Sequence, residues 1–170
     1  MDSNIVYDKF RKQLTNVHAM TVFTVSLFEI VGYIVLIITG VEEFSVQNRY
    51  LWVGVVLPIV VNVVTHLAAR IIINLSDARR ETKNLTIVVA ALVTSFVVAV
   101  IHKEYIITSC AFVFPMILSA IFNEKKLLNL SFFSSLFILL SVGFAFEIDA
   151  SATLVSRLNL FVLVAFAIVS

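Results

Sequence analysis

Three ionisable side chains stand inside long apolar runs of this 170-residue chain: Glu29, His66 and Arg70. A charged group at that depth in a bilayer costs several kcal/mol, so each is a candidate functional residue by default. Asn62, His66 and Arg70 recur at i, i+4 and i+8, which sets them on one slowly drifting stripe of a helix. Ser26, Glu29 and Tyr33, at i, i+3 and i+7, form a shorter stripe on the preceding run. Counted from the inner edges of their runs, Glu29 and His66 lie at matching depth. The two stripes are therefore expected to face each other, with an ionised Glu29 paired to His66 or Arg70. Glu29, Tyr33, Asn62, His66 and Arg70 are the candidate ligand-binding residues for a small or lipid-like molecule. The plainer reading is interhelical glue worth about 0.6–2 kcal/mol that fixes helix register. Arg70 has a second option, snorkelling to the inner interface five residues away. A proton relay has thin support, because Glu29 has no second intramembrane carboxylate beside it.

Other chemistry is excluded more firmly. His18 and His102 fall at opposite membrane faces by this count, neither at the depth of His66, so no haem or metal shared between histidines is expected. There is no G-x-S-x-G, no H-E-x-x-H, no carboxylate pair within one run and no phosphate loop. The lone Cys110 rules out a disulfide within the chain and reads as a small apolar packer. No catalytic residue, metal or cofactor is expected. A net charge of +1 argues against a nucleic-acid binder.

The elements that position these residues follow from composition. Apolar residues make up 61% of the chain and charged ones 14%, against roughly 45–50% and about 25% in soluble domains. A bilayer core of ~30 Å requires about 20 apolar residues in a helix. Segments 20–41, 51–75, 85–101, 105–122 and 127–146 meet that requirement, and a sixth runs over 154–170. The expectation is an all-α polytopic membrane protein with six transmembrane helices and both termini cytoplasmic. The inner side then carries nine Lys and Arg (Lys9, Arg11, Lys12, Arg70, Arg79, Arg80, Lys83, Lys125, Lys126) and the outer side three (Arg49, Lys103, Arg157). Tyr50, Trp52 and Tyr105 fall at the outer interface. Residues 1–19 read as an amphipathic cytoplasmic segment lying along the inner leaflet. The sixth segment stops without a cytoplasmic basic anchor, so a cytoplasmic output domain is expected after Ser170.

Two features concern packing. Ala91, Ser95 and Ala99, at i, i+4 and i+8, let helices approach closely and mark a seam within the bundle or between protomers. Pro115, near the centre of the fourth segment, is expected to kink that helix. The phenylalanines clustered on the fourth and fifth segments read as lipid-facing bulk.

His102 at the start of the fourth helix, Phe114–Pro115 within it and Glu124–Lys125–Lys126 after it form a recognisable arrangement. Together with the six-helix plan, it resembles the N-terminal membrane regions that precede GGDEF diguanylate cyclase domains in clostridia-like bacteria. That resemblance implies a multi-pass sensor in the bacterial cytoplasmic membrane, driving a dimeric cyclase that makes cyclic di-GMP. Membrane lipid, a small or lipid-like ligand and a second copy of the chain are the partners it implies. Six spans in this length also resemble the substrate-binding subunits of energy-coupling-factor vitamin transporters, although the first helix lacks that family's A-x-x-x-A docking pattern. A membrane scaffold without a ligand is the third class.

Overall fold

A computed structural model describes residues 3–40, 44–75, 77–102 and 111–146, and the regular structure among them is entirely helical. The chain divides into two compact units, Met1–Ser76 and Asp77–Ser170. Three helical stretches among the described residues are long and apolar enough to cross a membrane: Tyr7–Thr39, Gln47–Asn74 and Arg80–Ile101. They cover residues 20–39 and 51–74 of the first two expected spans and all of the third, 85–101. The fifth coincides with a helix over Lys125–Phe146. Only part of the fourth is described, and the sixth, with Lys103, Tyr105, Cys110 and Arg157, lies outside the described residues.

The first unit is a helical hairpin. Helix α1 runs from Ser3 to Thr39, 37 residues and about 55 Å. It runs through residues 19–20 without a break, so the entry segment and the first span share one helix. Between Ser3 and Val31 there is neither Pro nor Gly to interrupt the helix, and the Thr15 and Thr21 hydroxyls donate to the carbonyls of Arg11 and Val17 one turn back. Gly40 ends it at φ 60°, in the left-handed conformation that glycine adopts without strain, with its N–H on the Ile37 carbonyl. Two further helices, α2 (Phe44–Tyr50) and α3 (Leu57–Asn74), form the returning arm, joined by a π-helical stretch over Leu51–Val56.

Pro58 accounts for the π stretch. It lacks the N–H that would bond the Gly54 carbonyl, and its ring crowds that carbonyl. The helix widens instead, and the Leu57 N–H reaches five residues back to the Trp52 carbonyl. Gly54 is required here for space. A Cβ at that position would meet the Tyr50 ring at 3.0 Å, and that ring lies stacked on Tyr33 of α1 at 6.4 Å and 16°.

The second unit packs α4 (Arg80–Ile101), α5 (Val113–Ile121) and α6 (Lys125–Phe146) against one another. Ala91, Ser95 and Ala99 are almost fully buried, so their seam faces inward within this unit. Leu127, Ser131, Ser135 and Leu139 of α6, each four residues apart, supply a second buried stripe of the same kind. The aromatic residues divide: Phe112 and Phe122 are buried, whereas Phe133 and Phe137 point outward at 64% and 71% exposure.

The kink expected at Pro115 concerns a span whose first part, 105–110, lies outside the described residues. Pro115 sits in the first turn of α5, where a missing N–H is tolerated. In an uninterrupted helix its N–H would bond the Ala111 carbonyl. That carbonyl accepts the Ser95 hydroxyl instead, at 2.7 Å. Asn123, at φ 52°, turns the chain between α5 and α6, and the Asn84 amide of α4 donates to the Glu124 carboxylate beside it at 2.6 Å.

Candidate functional site

The seam of the hairpin is where polar chemistry concentrates. On α1 its residues are Arg11, Thr15, His18, Val22, Ser26, Glu29 and Tyr33, spaced by threes and fours in the pattern of two helices packed at a small angle. Arg11, Thr15, His18 and Glu29 are all buried. Each of these hydrogen-bonding groups must find a partner or cost stability.

His18 and His66 meet at the centre of this line. Their rings stack with centroids 5.4 Å apart at 30°, and the two Nδ1 atoms are 3.2 Å apart. A hydrogen bond at this contact has one nitrogen donating its N–H to the lone pair of the other, the roles depending on the tautomers.

This arrangement corrects the expected pairing of Glu29 with His66 or Arg70, and brings His18 to the level of His66. Moving 15 residues along α1, from His18 to Tyr33, moves 16 back along the returning arm, from His66 to Tyr50. That antiparallel register is set by the connection, since only residues 40–43 separate α1 from α2. Matching depth from an assumed start at residue 20 displaced the register by 11 residues. Glu29 lies about 16 Å along the helix from His18, level with Gly54 and Val55, the buried residues of the π stretch. It is 2% exposed.

The other candidates separate accordingly. Asn62, one turn from His66, is fully buried, and neither its Nδ2 nor its Oδ1 has a hydrogen-bond partner. The buried Ser26 Oγ is also without one. Arg70, one turn beyond His66 on the other side, is exposed and borders a cavity with Lys12. Tyr33 stands at the far end against Tyr50. Asn62, His66 and Arg70 thus remain one group, while Glu29 and Tyr33 belong to a second level around Gly54. Among the described residues no three His, Cys, Asp or Glu side chains stand close enough to hold a metal ion.

Two participants escape a depth count. His18 is found by the threes-and-fours spacing that continues from Glu29 back to Arg11. The Gly54–Pro58 pair is found by asking which carbonyl Pro58 leaves without its usual donor. No protein-family model, curated protein or solved structure matches the chain.

Proposed function

We propose that this chain is the membrane sensory domain of a bacterial signalling protein, binding a small or lipid-like ligand along the α1–α3 seam. The observation that supports it is the polar line itself. The His18–His66 contact lies beside the unpartnered Asn62 amide and Ser26 hydroxyl, and an apolar cleft of about 400 Å³ opens over Ser26 and His66. That volume is in the range of small-molecule sites. The Ser26 hydroxyl, which has no partner, lines this cleft, and a ligand that supplies one gains the corresponding free energy. A ligand preferring one packing of α1 on α3 shifts the equilibrium by its differential affinity.

In this proposal the domain spans the cytoplasmic membrane six times with both termini inside, pairs with a second copy and controls a cytoplasmic output. The output is a diguanylate cyclase by the resemblance of His102, Phe114–Pro115 and Glu124–Lys126 to membrane regions of that kind. The test is cyclic di-GMP in cells expressing the native protein, compared with His66→Ala and Asn62→Leu at equal membrane abundance. Altered output in either variant supports a sensory seam. Unchanged output in both reduces the seam to a packing device.

A further inference from the structure

Two cavities open along the hairpin, and their lining residues share a face. On α1 they take positions 12, 15 and 16, then 19, 22, 23, 26, 27 and 30; on α3 they take 59, 63, 66 and 67, then 70, 73 and 74. Both series recur at threes and fours, so each lies on one side of its helix. The cavities are successive stretches of one groove. From the level of Ile59 to that of Arg70 it runs about 16 Å.

The two stretches differ in chemistry. The one nearer the N-terminus of α1, about 310 Å³, is lined by Lys12, Thr15, Asn16, Arg70, Ile73 and Asn74. It presents two cations, two amides and a hydroxyl, with no carboxylate among its lining residues. The neighbouring Arg11 is held at 2.6 Å by Asp8, so that acid is engaged on Arg11. The other stretch, about 400 Å³, is walled by Val22, Phe23, Leu27, Ile30, Ile59 and Val63, with Ser26 and His66 its polar members. Positive charge at one end and continuous hydrocarbon beyond it complement a single kind of molecule.

We infer that this groove binds an anionic amphiphile, its phosphate or carboxylate head between Lys12 and Arg70 and its acyl chain along the cleft between α1 and α3. The inference names the ligand class of the proposed sensory seam and rests on that reading for its regulatory meaning. A free anion would fill the cationic stretch and leave the apolar one unused, and a neutral lipid would leave both cations without a counter-charge. In the proposed topology Lys12 and Arg70 fall toward the cytoplasmic end of the hairpin, the side on which basic side chains meet anionic lipid.

Dodecyl phosphate titrated into the full chain in neutral-detergent micelles tests it, with inorganic phosphate as the soluble counterpart. One saturable dodecyl phosphate per chain is expected, with inorganic phosphate at least tenfold weaker. The Lys12→Gln, Arg70→Gln double variant should lose roughly thirtyfold in affinity. Lys125→Gln with Lys126→Gln removes the same charge at exposed positions elsewhere and should lose less than threefold. Ser26→Leu, which fills the cleft, should weaken dodecyl phosphate and leave inorganic phosphate unchanged. Equal binding of the two ligands overturns the inference in favour of a soluble-anion pocket. Equal losses in the two double variants overturn it in favour of bulk charge. Binding as described without any change in cyclic di-GMP output keeps the groove and removes the sensory reading; altered output in His66→Ala without dodecyl phosphate binding does the reverse.

Discussion

The link between Ser95 and Pro115 is open to a quantitative test. Pro115 withholds the N–H that the Ala111 carbonyl would receive in a regular helix, and the Ser95 hydroxyl takes its place at 2.7 Å. Ser95→Ala removes that donor and leaves the part-buried Ala111 carbonyl without it, beside a seam where Ser95 is 3% exposed. An unsatisfied buried acceptor costs about 1–3 kcal/mol, and interhelical hydrogen bonds in membranes average nearer ~0.6 with a ceiling of ~1.7. About 1 kcal/mol is therefore expected for Ser95→Ala, roughly a fivefold change in the folding equilibrium. Pro115→Ala returns the backbone N–H, so Ser95→Ala should cost close to nothing in that background. The double-mutant cycle should yield a coupling of about 1 kcal/mol. Reversible unfolding of the four proteins by SDS in mixed micelles, followed by circular dichroism, measures it. Equal costs of Ser95→Ala in both backgrounds would refute the substitution of hydroxyl for amide.

Asn62→Leu replaces an unpartnered buried amide with an apolar side chain of similar size and should be neutral or stabilising by about 1 kcal/mol in the same unfolding assay; a loss of that size would mean Asn62 has a partner in the membrane. Gly54→Ala drives a methyl against the Tyr50 ring at 3.0 Å and should cost about 1–3 kcal/mol, largely recovered by adding Tyr50→Leu. In a Cys110→Ser background, cysteines at positions 18 and 66 should be joined by a short bis-maleimide and those at 29 and 66 should not; the opposite pattern would overturn the hairpin register. Asn84→Ala removes the 2.6 Å bond to Glu124 and should lower the melting temperature, an effect absent when Glu124→Ala is already in place.

The helices were legible in the sequence because a run of about 20 apolar residues has few alternatives to a helix in a bilayer. Asn62, His66 and Arg70 were legible as a group because the spacing of four is intrinsic to one helix. Contacts that cross between helices were not. The depth argument assigned Glu29 to His66 because it took residue 20 as the start of the first helix, whereas the short connection at 40–43 fixes the register and brings His18 there. Glu29 is instead level with a backbone irregularity that hydropathy cannot register, since Gly54 and Pro58 count as ordinary members of an apolar run. The buried Ser131 and Ser135 went unmarked for a related reason: serines between phenylalanines lower a hydropathy average without revealing which side of α6 they occupy.

The π stretch gives the returning arm a property of phase. A regular helix turns about 100° per residue, so the wider turns over Leu51–Val56 change the angular offset between α2 and α3. Tyr50 is aimed at Tyr33, and Asn62 and His66 at the seam, only with that offset in place. Deleting one residue there would swing α2 by roughly a quarter turn about its axis while α3 kept its seat. Tyr50 would leave Tyr33, and the His18–His66 contact would survive. The hairpin thus has two halves that can be rotationally decoupled, with Glu29 facing the joint between them.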